Sequence, residues 1–358
     1  MILEQRCAPR EDLTDLWGWA IKPEGACKAD QCVPLPSRDD QVDVIDLAER
    51  LGMAVAHDEE QGIWAVGPVG GGRFLESAVC PDIVLPDLDG RPFALSSLRG
   101  RKVLLVTWAS WCGCRHDLPV WQELYEELGP RGLTIVTVSM DGGGPDGPRG
   151  YHEVAGTTHP ALIDTWHSLD ALLGVVNVPN GVWIDEEGMI VRPVEPAAPQ
   201  PMVEALEHVA YDDSIPARVH EMLAESHKIR LYSEQYIPAL RDWIEKGAAS
   251  EYALAPEEVV RRSQPRDADA ALAAASFELG EHLHRAGREE AAIRWFRDSH
   301  RLQPDNWTYR RQAWYYADPV RIGPNFDEGK QREWPYESDW LSDARKIGVE
   351  NYYPPLDM

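Results

Sequence analysis

Basic residues are scarce in this chain relative to acidic ones. It has 35 lysine and arginine residues against 60 aspartate and glutamate residues, which gives a formal net charge of −25. A surface this acidic repels phosphate backbones and anionic lipid headgroups. The composition therefore argues against nucleic acids and membrane surfaces as partners.

Long apolar runs are also lacking. Runs such as Val103–Ala109 are far shorter than the ~18 residues that a membrane-spanning helix needs. The chain starts M-I-L-E-Q-R, with Glu4 where a secretory signal would be basic, and no apolar stretch follows it. We therefore expect a soluble, cytoplasmic protein without a signal peptide.

Cysteine is sparse, with six residues at positions 7, 27, 32, 80, 112 and 114 of a 358-residue chain. That number is too small for a structural disulfide framework. Two of the cysteines are nearly adjacent, so thiol chemistry or metal ligation becomes the better question. The glycine run that follows Asp141 lacks the lysine and spacing of a phosphate-binding loop, and we expect no cofactor.

The chain is long enough for two or three domains, and its patterns change twice. Residues 1–75 form a small N-terminal segment of unassigned fold. Over residues 76–209, β-branched runs alternate with helical patterns, which indicates an α/β domain. We predict strands at Val103–Trp108 and Leu133–Ser139, a hairpin of Gly181–Ile184 with Met189–Arg192, and helices at Leu118–Leu128, Ser168–Leu173 and Met202–Val209.

Residues 210–358 are helical by pattern. Segment 273–306 matches the 34-residue tetratricopeptide repeat at Leu279-Gly280, Leu283, Gly287, Ala292, Phe296 and Pro304. A lone repeat cannot bury its own apolar face, so we expect helices over 216–246 and 307–317 to complete the stack. This all-α, TPR-like domain is a candidate surface for a protein partner.

The stretch with recognisable chemistry is residues 107–119, which read T-W-A-S-W-C-G-C-R-H-D-L-P. The predicted strand Val103–Trp108 runs toward Cys112, and a helical pattern begins directly behind it. Unpaired N–H groups and the helix dipole stabilise negative sulfur at a helix N-terminus. We therefore predict that Cys112 is the more acidic and accessible thiol and attacks a disulfide, and that Cys114 resolves the mixed disulfide.

Residues 78–209 resemble the TlpA-like branch of the thioredoxin-fold disulfide oxidoreductases. The motifs occur in the family's order: Leu98-Arg99-Gly100, Trp108-Ala109-Ser110-Trp111-Cys112-Gly113, Leu173–Pro179 and Val182–Gly188. The resemblance implies an α/β, thioredoxin-like fold with a central mixed sheet flanked by helices, and a protein or small-molecule thiol or disulfide as substrate. It also implies that the Val178-Pro179 bond is cis and that Trp111, Val178 and Pro179 form the substrate edge.

The catalytic motif departs from this family, which normally has Cys-x-x-Cys. Here only Gly113 separates Cys112 from Cys114. Cys114 keeps the family's five-step distance to Pro119, so the residue that usually follows Gly113 is missing. A Cys-x-Cys disulfide closes a smaller ring that is harder to fit to relaxed S–S torsion angles, and we expect it to be reduced more easily.

Other interpretations of this pair differ in their support. Peroxiredoxins carry proline and threonine or serine seven and three residues before the reactive cysteine, whereas Leu105 and Ala109 stand there before Cys112; this disfavours a peroxidase. Two close thiolates with His116 nearby suit a copper carrier, although the ligand set is incomplete. A thioredoxin fold that serves as a non-catalytic interaction scaffold is the remaining alternative.

The other cysteines carry a weaker signal. Cys27 and Cys32 fit a local disulfide, half of a zinc site with Cys7 or Cys80, or two unrelated thiols, since the paired C-x-x-C spacings of zinc sites are missing. Simple burial explains Cys80.

Overall fold

The computed structural model describes residues 1–12, 20–22, 24–28, 31–34, 41–201, 204, 217–318 and 334–358. Its strands are β1 (Ile2–Leu3), β2 (Cys7–Pro9), β3 (Ala20–Lys22), β4 (Gly25–Lys28), β5 (Gln31–Val33), β6 (Gln41–Asp43), β7 (Met53–Asp58), β8 (Ile63–Val69), β9 (Val84–Pro86), β10 (Pro92–Ala94), β11 (Lys102–Trp108), β12 (Leu133–Ser139), β13 (Ala161–Ile163), β14 (Asn180–Ile184) and β15 (Ile190–Pro196).

The α-helices are α1 (Val44–Arg50), α2 (Leu118–Leu128), α3 (Asp146–Ala155), α4 (Ser168–Leu173), α5 (Ala217–Ser226), α6 (Ser233–Lys246), α7 (Pro256–Arg262), α8 (Ala268–Arg285), α9 (Glu289–Leu302), α10 (Trp307–Ala317) and α11 (Trp340–Ile347). The predicted helix Met202–Val209 falls, except for Glu204, outside the described residues.

The chain divides into two compact units that are each built from two stretches of sequence. The first unit contains Met1–Gly72 and Pro265–Pro304, and the second contains Arg73–Gln264 and Asp305–Met358. Helices α5, α6 and α10, which the sequence led us to expect beside the α8–α9 pair, belong to the second unit. The domain boundaries at 75/76 and 209/210 stay predictions.

The first unit contains an antiparallel sheet of order β1-β8-β7, and α8 packs on β7 and β8. Helix α1 begins where it does because the Asp43 side chain accepts hydrogen bonds from the Ile45 and Asp46 N–H groups at 3.1 and 2.9 Å. Strands β4 and β5 pair Cys27 directly with Cys32, and the two form a disulfide. Of the alternatives that the spacing left open, the structure selects the local disulfide.

Helices α8 and α9 pack closely against each other within the first unit. Gly280 makes this possible, because a Cβ atom at that position would stand 2.7 Å from the Phe296 ring. The side chain of Asp267 caps α8 by accepting from the Ala270 N–H at 2.8 Å. The helical pair is present, while its identity as a tetratricopeptide-like repeat stays a prediction.

The second unit is built on a five-stranded sheet of order β13-β12-β11-β14-β15. Strands β11, β12 and β13 run parallel, whereas β14 is antiparallel to β11 and to β15. Every residue of β11 and β12 is buried, as the near-continuous apolar runs predicted for central strands. The predicted mixed sheet flanked by helices is therefore confirmed, and so is the predicted hairpin, which is formed by β14 and β15.

Helix α6 belongs to the core of this sheet, a place that the sequence pattern did not assign to it. The core gathers side chains from β11, β12, β14, α2 and α6. Trp183 of β14 stacks on Trp243 of α6 at 5.0 Å between ring centroids. The Trp183 indole N–H also donates to the Tyr236 hydroxyl at 2.8 Å, which satisfies a buried donor.

In the stretches of chain described above, no helix is both long and apolar enough to cross a membrane.

Candidate functional site

The predicted redox pair lies at the end of β11, where the chain turns from strand to helix. Cys112 is the N-cap of a 3₁₀ turn over Gly113–Asp117, and α2 follows directly. The backbone N–H of Cys114 donates to the Cys112 sulfur at 3.4 Å. The short turn thus brings the two free thiols to the same point of the fold.

The loop before this turn is fixed by a buried carboxylate. Asp141, just after β12, accepts from the Ser110 N–H at 2.9 Å and also bonds the hydroxyls of Ser110 and Ser139. The Asp141 side chain therefore anchors the loop that leads to Cys112.

Both thiols are buried, with Cys112 only 3% and Cys114 2% exposed. The expectation that Cys112 is accessible is therefore wrong for this structure. The physical reason lies in the C-terminal residues of the same unit, since Arg311 and the paired tyrosines Tyr352 and Tyr353 pack around Cys112 and its neighbours. A sequence pattern for one segment does not reveal what another segment covers.

The two thiols are polarised in opposite directions. Burial alone would raise the pKa of Cys112, but a hydrogen bond from the Cys114 thiol and the positive charge of Arg311 overcome it, and the pKa falls well below its ordinary value. For Cys114, burial and the neighbouring Cys112 both raise the pKa. A negative charge on the pair is therefore favoured on Cys112 over Cys114.

The predicted substrate edge lies against Cys112. The Val178-Pro179 bond is cis, as the resemblance implied. The Cys112 sulfur lies 3.5 Å from the Val178 carbonyl oxygen, to which Cys112 donates only in its protonated form, and the Tyr353 hydroxyl donates to the same oxygen at 2.6 Å. Trp111 is fully buried, and its indole N–H donates to the Gln312 side chain at 2.9 Å. The structure therefore brings all the predicted site residues together.

Sequence reasoning missed Arg311, which lies on α10. Its guanidinium donates to the Trp111 carbonyl at 3.0 Å and lies 4.7 Å from the centroid of the Trp111 ring. Nothing in the sequence marks it, because arginine on a helix is ordinary and about 200 positions separate it from the motif.

Asp117 was also missed, although it lies inside the motif. The carboxyl is 1% exposed and accepts from the Gln200 amide at 2.9 Å. Burial raises its pKa to about 8, and the Cys112 charge contributes in the same direction. The charge of Asp117 in turn raises the pKa of Cys114. An acid three residues after Cys114 at a strand-to-helix turn was a signal that could have identified it.

The remaining free cysteines lie outside this arrangement. Cys80 is half-buried, and burial raises its pKa to about 11, as expected of an unreactive packed thiol. Cys7 is exposed in the first unit. Across the described ranges, no group of three or more His, Cys, Asp or Glu side chains is arranged to hold a metal ion.

Residues 77–192 match the AhpC/TSA family. The thiol-disulfide oxidoreductase ResA of Geobacillus thermodenitrificans is 33% identical over 117 residues, which cover 32% of this chain and 66% of that protein. The thioredoxin-like protein YneN of Bacillus subtilis is 31% identical over 118 residues, covering 32% of this chain and 68% of its own length. The matches thus span about two thirds of these relatives.

Among solved structures, a putative thiol:disulfide interchange protein DsbE from Chlorobium tepidum is 25% identical, with a TM-score of 0.29, and covers 34% of this chain and 82% of that one. The thioredoxin domain of a thiol-disulfide oxidoreductase from Bacteroides vulgatus is also 25% identical, with a TM-score of 0.31, over 37% of this chain and 96% of that chain.

Proposed function

The chain belongs to the thioredoxin-like proteins of the AhpC/TSA family, and on this premise we propose that it is a thiol–disulfide oxidoreductase whose redox pair is Cys112 and Cys114. The observation that carries the proposal is the placement of two free thiols at one helical turn, where the Cys114 N–H donates to the Cys112 sulfur at 3.4 Å beside the cis Val178-Pro179 bond. The pKa directions support it, because the pKa of Cys112 is lowered and that of Cys114 is raised. A nucleophilic thiolate beside a protonated resolving thiol is what disulfide exchange requires.

The reaction runs in two exchanges. The Cys112 thiolate attacks one sulfur of a substrate disulfide, forms a mixed disulfide and releases the other substrate sulfur as a thiolate. Cys114 then loses its proton and attacks the Cys112 sulfur, which forms the Cys112–Cys114 disulfide and releases the second substrate thiol. The substrate gains two electrons and the protein loses them; an external dithiol reverses the change.

Asp117 is the group we propose as the proton acceptor for Cys114. It is buried in the same 3₁₀ turn as Cys114, and its pKa of about 8 places its titration close to neutrality. A group with a pKa near the working pH transfers protons in both directions, which a reversible exchange needs. The carboxyl would thus serve the resolving thiol in the forward reaction and return the proton in the reverse one.

Trp111, Val178 and Pro179 form the proposed substrate edge. In this structure the Tyr353 hydroxyl donates a hydrogen bond to the Val178 carbonyl oxygen. A backbone N–H of an extended substrate would use the same acceptor. Since Cys112 is 3% exposed and Tyr353 already donates to this acceptor, we propose that a protein substrate displaces Tyr353 from Val178. The substrate class we propose is a thiol or disulfide of a protein or a small molecule.

Redox cycling with identification of the linked cysteines tests this proposal. The protein is reduced with dithiothreitol, oxidised with glutathione disulfide, alkylated and mapped by mass spectrometry. We expect a Cys112–Cys114 disulfide that forms and breaks reversibly, and label on Cys112 before Cys114 at limiting iodoacetamide and pH 7.

Variants make the roles separable. Cys114→Ser should accumulate a mixed disulfide on Cys112, Cys112→Ser should not react, and Cys80→Ser should cycle like the unaltered protein. A pair that never links under oxidising conditions would favour the scaffold alternative, and label appearing first on Cys114 would reverse the assigned roles.

A further inference from the structure

The C-terminal helix α10 places a buried positive charge at the redox pair. Arg311 is 5% exposed. In the described part of the chain it donates to the Trp111 carbonyl at 3.0 Å and to the Tyr352 hydroxyl at 3.5 Å, and no carboxylate pairs with it there. Its buried Nε atom has no hydrogen-bond partner within the same part of the chain.

Burial of a cation without a neighbouring anion costs free energy. The adjacent arginine of α10 avoids this cost by pairing with a carboxylate. Arg310 forms an ion pair with Asp343. Burial lowers the pKa of Arg311, but electrostatic interaction with Tyr352 and with Cys112 raises it by more, so Arg311 remains charged. Burial keeps the hydroxyls of Tyr352 and Tyr353 neutral by raising their pKa values. The Cys112 thiolate is therefore the anion that can pair with Arg311.

The position of Arg311 is fixed by its neighbours. Gln312, the next residue of α10, accepts from the Trp111 indole N–H at 2.9 Å and from the Gly142 N–H at 3.0 Å. At the start of the helix, the Trp307 N–H donates to the Val176 carbonyl at 2.7 Å. Several buried hydrogen bonds thus dock α10 on the loops that hold Cys112, so the guanidinium needs no rearrangement to act there.

We propose that Arg311 is a catalytic residue, the counter-ion of the Cys112 thiolate, supplied by a helix that lies outside residues 77–192 of the family match. This inference rests on the proposed function. It assigns to the C-terminal part of the second unit a share in the chemistry. Formation of the mixed disulfide removes the negative charge beside Arg311, so the cation favours the reduced thiolate over the oxidised pair.

The pH dependence of Cys112 alkylation tests this role. Reaction of the reduced full-length protein with iodoacetamide is followed separately for each cysteine over a range of pH. The pH at which the Cys112 alkylation rate is half-maximal is the Cys112 midpoint. A nearby opposite charge lowers the pKa of an acidic group by about 1–3. We therefore expect Arg311→Met to raise the Cys112 midpoint by about that many pH units. Arg311→Lys keeps the charge and should restore much of the change.

Arg310→Met is the matched control, because it removes the adjacent arginine of α10 together with its pair to Asp343 and should leave the Cys112 midpoint unchanged. An unchanged midpoint in folded Arg311→Met would overturn the inference, as would a lysine variant shifted as far as the methionine one.

A measurement on the unaltered protein covers the case in which Arg311→Met does not fold. The ¹⁵Nε resonance of Arg311 should titrate with the Cys112 midpoint and should change on oxidation of the pair. A resonance that changes neither with pH across the Cys112 midpoint nor on oxidation of the pair would refute the counter-ion role. The proposed function fails separately, namely if the unaltered pair does not cycle with dithiothreitol.

Discussion

Replacing Asp117 by asparagine should stabilise the second unit, and by more as the pH rises. Burial raises the pKa of this carboxyl from 3.8 to about 8, against the hydrogen bond from Gln200. Folding therefore favours the protonated acid. Stability from this group is fully present below about pH 4 and is lost as the pH rises through the folded-state pKa near 8.

The expected size follows from that difference of about four in pKa. Each pKa unit corresponds to about 1.4 kcal/mol, so the stability lost through Asp117 is at most about 6 kcal/mol above pH 8 and about 4 kcal/mol at pH 7. Relaxation and water entry reduce these values. The asparagine side chain of Asp117→Asn would keep the oxygen that accepts from the Gln200 amide at 2.9 Å, so the packing around the position changes little.

Urea unfolding at pH 5, 6, 7 and 8 measures the effect. The chain has two compact units, so unfolding of the second unit needs its own probe. That probe is Cys114, which is 2% exposed in the folded protein. Its exposure is measured by a brief alkylation pulse at one common pH. The stability difference between Asp117→Asn and the unaltered protein should grow by up to about 1.4 kcal/mol per pH unit. The exposed Asp146 provides the control Asp146→Asn, and the growth of the Asp117→Asn difference with pH should exceed any growth in this control. Equal differences for Asp117→Asn at pH 5 and pH 8 would refute the reasoning.

Three further changes have defined outcomes. One residue inserted after Gly113 restores Cys-x-x-Cys and should lower the reduction potential in glutathione buffers by several tens of millivolts, since ~30 mV corresponds to ~1.4 kcal/mol of ring strain; an equal or higher potential would exclude strain. Tyr353→Phe removes a donor to the Val178 carbonyl worth ~1 kcal/mol and should speed alkylation of the nucleophilic thiol about fivefold; an unchanged rate would mean that Tyr353 does not control access. Replacing Cys27 and Cys32 by serine opens a short loop and should cost the first unit ~2 kcal/mol in urea unfolding, whereas an unaltered midpoint would contradict a stabilising disulfide.

The elements of the mixed sheet were predictable because their sequences leave few alternatives. Leu133–Ser139 is a near-continuous apolar run bounded by Gly132, and the structure has a buried strand with the same bounds. Leu118–Leu128 has proline in its first turn and an apolar stripe, and it forms a helix with those bounds. In these segments local propensity and burial on the sheet agree.

The partners of the C-terminal helices could not be predicted in the same way. An amphipathic pattern shows that a helix buries one face and does not show against what. Helix α6 supplies Trp243 to the core of the mixed sheet, and α8 lies on the sheet of the first unit. The tetratricopeptide-like spacing in 273–306 instead suggested that these helices stack on one another.

The polarised pair also orders the steps of the proposed reaction. While Cys112 is a thiolate, its charge raises the pKa of both Cys114 and Asp117. Formation of the mixed disulfide removes that charge. Both pKa values then fall, so Cys114 becomes easier to deprotonate and the Asp117 carboxyl ionises more readily. Attack on the substrate thus prepares the resolving thiol, and the two sulfurs do not become nucleophiles together.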